Sequence, residues 1–144
     1  VKKIFCAIFL FFCGPVFALE NADLVVKTFD EKQFDIKDFR GKKNVFVVFW
    51  AQWCADCIRE MPVIEKLHKT CAKKVAVIGV SVDRKSAKEK VLSRIENVTY
   101  PNAFLADSKA NNFPDINQVP TFFLVDKNGV AEELEEVPTC SQLK

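Results

Sequence analysis

Hydrophobic positions in this chain fall into two kinds of stretch. Val45 to Trp50 and Val75 to Val82 are near-continuous runs of β-branched and aromatic residues, the pattern of strands buried on both faces. Leu24 to Phe29 and Gln33 to Ile36 read as shorter strands around an Asp30-Glu31-Lys32 turn. Thr121 to Val125 and Val130 to Leu134 read as two more, joined by Asp126-Lys127-Asn128-Gly129. Between the two buried runs the period changes. Ile58, Met61, Ile64/Glu65 and Leu67/His68 recur at helical spacing, with Arg59, Glu60, Lys66 and Lys69 on the opposite side. Pro62 lies inside this helix and is expected to kink it, because it removes a backbone donor. Ser86 to Glu96 reads as a second, mostly charged helix with Asp83 or Ser86 as its cap. The order is β-β-β-α-β-α-β-β, with room for a short helix after Pro138. Strands alternating with helices give a layered α/β sheet.

Composition narrows the class. At 144 residues and 49% hydrophobic, the chain is long and apolar enough for one folded domain. Its formal charge is +2, and Lys2 and Lys3 supply as much. The remainder is near neutral, with neither a basic patch for nucleic acid nor an acidic tail. The first residues look like an export signal: Lys2-Lys3, an uncharged apolar run from Ile4 to Phe12, a Gly14-Pro15 break, then Val16-Phe17-Ala18. Cleavage is expected after Ala18, giving a signal over 1–18 and a domain over 19–144. The apolar run is short for a membrane span, although residues 4–18 left uncleaved would act as an anchor. An oxidising destination, the periplasm, follows. Cys6 and Cys13 leave with the signal, and Cys54, Cys57, Cys71 and Cys140 remain. An even number in an exported protein is compatible with two disulfides.

The chemistry concentrates at Trp53-Cys54-Ala55-Asp56-Cys57, where a buried strand gives way to a helix. Two cysteines at this spacing on a first helical turn can close a small disulfide ring. The helix N-terminus favours a thiolate on the first of them. That thiolate can attack a substrate disulfide, and the second thiol then releases the reduced substrate. Cys54 is therefore the expected nucleophile and Cys57 the resolving thiol. This exchange needs no cofactor. A structural zinc site completed by Cys71 and Cys140 is the competing reading, but neither has a CxxC partner of its own.

Phe49 to Cys57 followed by Arg59-Glu60-Met61-Pro62 resembles the thioredoxin superfamily, and within it the exported TlpA/ResA/CcmG group. Phe34 to Lys42 is similar to that group's approach to its central strand. Val119-Pro120-Thr121-Phe122-Phe123-Leu124-Val125-Asp126, then Gly129, is similar to its second signature. The resemblance covers about Leu24 to Leu134. It implies a thioredoxin-like fold, a central mixed β-sheet flanked by helices. It implies a cis Val119–Pro120 bond facing the cysteines, where Val119, Pro120 and Trp53 would form the substrate-binding surface. It also implies disulfide-bearing protein substrates, apocytochrome c among them, and a membrane thiol donor.

Two features depart from that group. Asp56 stands where many relatives have proline, and a carboxylate there works against a thiolate on Cys54. That tilts the reading toward a reductase. The chain also ends soon after Cys140, which leaves a terminal helix short or missing. Asp83 is a candidate for proton transfer to the thiols through water, or for capping the next helix. His68 reads as a solvated face residue, and Trp50 as core. Cys71 and Cys140 are either a structural disulfide or two independent thiols, and the sequence leaves both open. The leading expectation is a monomeric periplasmic reductase. A disulfide-donating oxidase and a thioredoxin-fold binding module or metal chaperone are the alternatives. No segment resembles a Thr-x-x-Cys peroxidatic motif.

Overall fold

The computed structural model describes residues 18–143. The expected export signal falls on residues 1–18 and so lies, apart from Ala18, outside the described residues. Eight strands form one mixed sheet: β1 (Ala18–Leu19), β2 (Leu24–Thr28), β3 (Gln33–Asp35), β4 (Asn44–Trp50), β5 (Val75–Ser81), β6 (Asn102–Asn111), β7 (Thr121–Val125) and β8 (Ala131–Leu134). Two α-helices join its centre, α1 (Ala55–Thr70) after β4 and α2 (Lys88–Arg94) after β5. The spatial order is β1-β8-β7-β4-β5-β6-β2-β3. β4 pairs parallel with β5, and β5 with β6. The remaining pairs are antiparallel.

β4 is buried at every position, because both sheet faces are covered there. Phe46, Val48 and Trp50 point to one face, where they meet Met61, Ile64 and Leu67 of α1 and Val91 of α2. Val45, Val47 and Phe49 point to the other, among Leu24, Val26, Ile78, Val80, Phe113 and Phe123. Both α-helices therefore pack on one face. The second is closed by the 3-10 turn at Ile36–Phe39, by Phe113, and by the segment around Ala22. Phe49, Phe113 and Phe123 meet edge to face there.

One polar device is built into the helix-side core. Trp50 Nε1 donates to Asn102 Oδ1 at 3.0 Å, and Asn102 Nδ2 donates to the Tyr100 carbonyl. A Cβ on Gly79 would lie 2.0 Å from Asn102 Oδ1, so only glycine leaves room for this link. The largest buried side chain of β4 thus satisfies its indole N–H inside the core.

Several expectations need correction. β6 was absent from the predicted order: its sequence, NAFLADSKAN, has few large apolar residues and no clean alternation. Only its first residues are buried, against β5; the rest runs along β2 through two register shifts. The second helix is shorter than expected and preceded by a 3-10 turn at Lys85–Ala87. Neither Asp83 nor Ser86 caps it: the residues at the cap positions are Arg84 and Ala87, without a side-chain bond. Among the described residues no helix follows Pro138. Thr139 to Gln142 instead forms a turn closed by the Gln142 N–H on the Thr139 carbonyl. α1 continues through Pro62, which is exposed on its outer side.

Candidate active site

Cys54 is the N-cap of α1, in an extended conformation, and its Sγ accepts the Cys57 backbone N–H at 3.1 Å. Cys54 and Cys57 are joined in a disulfide with Cα atoms 5.2 Å apart. Cys57 is almost completely buried, and Cys54 retains 6% exposure. Trp53 immediately before them is 67% exposed, whereas Trp50 is core.

Antiparallel pairing of β7 with β4 brings the second motif to this point. Phe49 pairs with Thr121, so the residues just before β7 lie beside those just after β4. The Val119–Pro120 bond is cis, and the Val119 carbonyl oxygen lies 3.6 Å from Cys54 Sγ. In the disulfide that sulfur carries no proton, so this is a contact; it becomes a weak hydrogen bond when Cys54 is a thiol. Thr121 Oγ1 donates to the Gln118 carbonyl at 2.7 Å and holds the turn.

Asp83 sits beneath the loop that carries the cysteines. Its Oδ2 accepts the Gln52 backbone N–H at 2.8 Å and the Ser81 hydroxyl at 2.9 Å. The Val82 N–H donates to the Trp50 carbonyl just before it. The β4–β5 ladder is thus extended one step by a side chain. The hydrogen bonds of this carboxylate go to the loop backbone and Ser81, with none to either sulfur.

Asp56 is exposed and ion-paired with Arg59, one turn further along α1. The pair sets a cation against the carboxylate that was expected to oppose a Cys54 thiolate. The two residues are three apart, the spacing at which side chains on one helix meet, so the pairing is legible in the sequence.

Glu65, midway along α1, is nearly buried. Burial would raise its pKa, but it accepts from Thr99 Oγ1 and Thr99 N–H and pairs with Lys69; these hold it down to about 2. Tyr100 is pushed up by burial and by the Glu65 charge. His68 is half-buried against the Tyr100 ring, not solvated as expected. At the far end of α1, Cys71 and Cys140 form a second disulfide, and Lys74 Nζ donates to the Cys140 and Leu143 carbonyls. Among the described residues no group of His, Cys, Asp or Glu is arranged to hold a metal ion.

A CxxC disulfide at the start of a helix, on a mixed sheet and facing a cis-proline turn, defines a thioredoxin-fold protein. The chain matches the AhpC/TSA family over residues 15–133 and belongs to it. It is 33% identical to the thioredoxin-like protein YneN of Bacillus subtilis, over 78% of this chain and 66% of that protein. It is 32% identical to the thiol-disulfide oxidoreductase ResA of Bacillus thuringiensis, over 87% of this chain and 73% of that protein. Its fold matches the thioredoxin domain of a thiol-disulfide oxidoreductase from Bacteroides vulgatus. That match has a TM-score of 0.65 at 22% identity, covering 83% of this chain and 88% of the other. The chain is a thioredoxin-like thiol–disulfide oxidoreductase.

Proposed function

We propose that this chain is an exported, monomeric reductase of protein disulfides, working in the periplasm after export through residues 1–18. Cys54 attacks the substrate disulfide as the thiolate. One substrate sulfur leaves as a thiol, and the other stays bonded to Cys54. Cys57 then attacks Cys54 Sγ, releasing the second substrate thiol and forming the Cys54–Cys57 disulfide. Two electrons pass to the substrate, and a membrane thiol donor restores the dithiol. Substrates are exported proteins with cysteine disulfides, apocytochrome c among them by family resemblance. Trp53 and the Val119–Pro120 turn form the docking surface, and an extended substrate segment pairs with the backbone there.

The observation that carries the reading is the Cys54 sulfur at a helix N-terminus, 3.6 Å from the Val119 carbonyl and flanked by an exposed tryptophan. Asp83 is proposed to hold the loop through Gln52 and to relay protons to the thiols through water.

A disulfide donor is the second reading, and Arg59 is the observation that keeps it. By compensating Asp56, it removes much of the electrostatic reason for a low potential. Glutathione titration of the pair separates the two. A reductase should lie near the thioredoxin value of about −270 mV, and a potential near the about −120 mV of a strong oxidant would overturn the proposal.

A further inference from the structure

Beside the redox disulfide runs a shallow groove of about 310 Å³, lined by Gln52, Trp53, Ala55, Ile58, Arg59 and Arg94. Its residues include Trp53 and Ala55, the two chain neighbours of Cys54, together with the last residue of α2. Both charged groups lining it are guanidinium groups, and none is a carboxylate. Asp56, next to Ala55 in sequence, is engaged by Arg59. One pair does not exhaust the N–H donors of an arginine. The Arg94 guanidinium makes no hydrogen bond or ion pair among the described residues, and its side chain is exposed. Trp53 adds a wide apolar face to the same groove.

We infer that this groove is a specificity subsite for substrate segments carrying a carboxylate side chain within a few residues of the target cysteine. Charge complementarity is the argument: Arg94 has no counter-ion among the described residues, and Arg59 keeps donors to spare. A carboxylate seated there gains charge-assisted, fork-shaped hydrogen bonds, while the neighbouring residue covers Trp53. A lysine at the same place meets two like charges. The groove is open to solvent, so the effect lies mainly in the rate of productive encounter and is sensitive to salt. The inference rests on Cys54 being the attacking thiol, and adds a preference among substrates.

The test uses the reduced protein and short peptides whose single cysteine is disulfide-bonded to 2-mercaptoethanol. In each turnover the Cys54–Cys57 dithiol becomes the disulfide, and peptide thiol and mercaptoethanol are released, so electrons and protons balance. Glu, Gln or Lys is placed at successive positions around the cysteine, and second-order rates are followed by Trp fluorescence. At low salt the best-placed Glu peptide should react about fivefold faster than Gln, and Lys more slowly, with the differences largely gone in 0.5 M salt (order-of-magnitude values). Arg94→Glu should reverse the order of Glu and Lys, and Arg94→Gln should level it. Neither should change the rate with neutral hydroxyethyl disulfide, which also reports an intact fold. Equal rates for all three peptides would overturn the subsite and leave the redox reading standing. Docking on Trp53 alone gives that same outcome. Failure to react with hydroxyethyl disulfide would overturn the redox reading and the subsite together.

Discussion

The two ends of α1 each carry a disulfide, and the contrast between them shows how context divides the work of one bond type. Cys54–Cys57 closes a ring across a sequence separation of 3 at the helix N-terminus, beside an exposed tryptophan, a cis-proline turn and a groove. Cys71–Cys140 closes a separation of 69 at the helix C-terminus. There Cys71 is buried, and Lys74 ties the incoming strand of chain down through the Cys140 and Leu143 carbonyls. Helix polarity favours a thiolate at the first end and disfavours one at the second. Loop length reverses the ranking for stability, because a long closed loop restricts the unfolded chain far more. Leu143 is 1% exposed in the helix-side core, so the second bridge holds a nearby core residue in place.

Cysteine substitutions should give the largest effects and break the comparison most directly if it is wrong. Cys54→Ser should lower disulfide exchange by roughly a thousandfold or more, since no other thiolate reaches the substrate. Cys57→Ser should accumulate mixed disulfides, visible as adducts by mass spectrometry. A Cys71→Ala/Cys140→Ala protein should exchange at close to the normal rate but unfold more easily, by about 4 kcal/mol in a urea titration. Loss of exchange in the second protein with its fold retained would show that the far bridge takes part in the chemistry.

Glu65, between the two ends, gives the next effect. Its pKa of about 2 lies below the ordinary 4.5, so its contribution is complete above about pH 4.5 and is lost as the pH falls toward 2. The contribution is about 3 kcal/mol at neutral pH, an order-of-magnitude value from that shift. Glu65→Gln should flatten the acid limb of stability against pH, measured by denaturant melts, without changing the redox potential. An unaltered acid limb would show that the Thr99 and Lys69 contacts do not hold this carboxylate.

Asp83 sharpens the site end. Asp83→Ala leaves the Gln52 N–H without its acceptor and should cost about 1–3 kcal/mol, with slower exchange. Asp83→Asn retains an acceptor oxygen and should restore stability. Exchange restored with it assigns Asp83 to holding the loop; stability restored without exchange assigns it to proton transfer.

Asp56 and Arg59 should give the smallest effects, because both are exposed and screened. Asp56→Asn leaves Arg59 uncompensated and should raise the potential of the pair by roughly 10–20 mV; Arg59→Gln should lower it by as much. Equal potentials for all three proteins would remove electrostatics at this turn from the account of redox direction.

The chain order of hydrophobic runs determined most of the sheet and the site pair. β4, β5 and β7 are continuous apolar runs, and buried strands advertise themselves that way. Cys54 and Cys57 stood out because their spacing coincides with the change from strand to helix period. The family pattern pointed to the cis Val119–Pro120 turn, but β4–β7 pairing is what sets its carbonyl beside Cys54. β6 was illegible because its residues are held by partners on β5 and β2 rather than by a pattern of their own. The Cys71–Cys140 bridge and the Asp83–Gln52 bond join positions far apart in sequence. Arg94 reaches the groove only because α2 folds onto the same face as α1. Periodicity records how each residue relates to its neighbours along the chain. Distances between segments are set when the sheet closes, and those contacts leave no local mark.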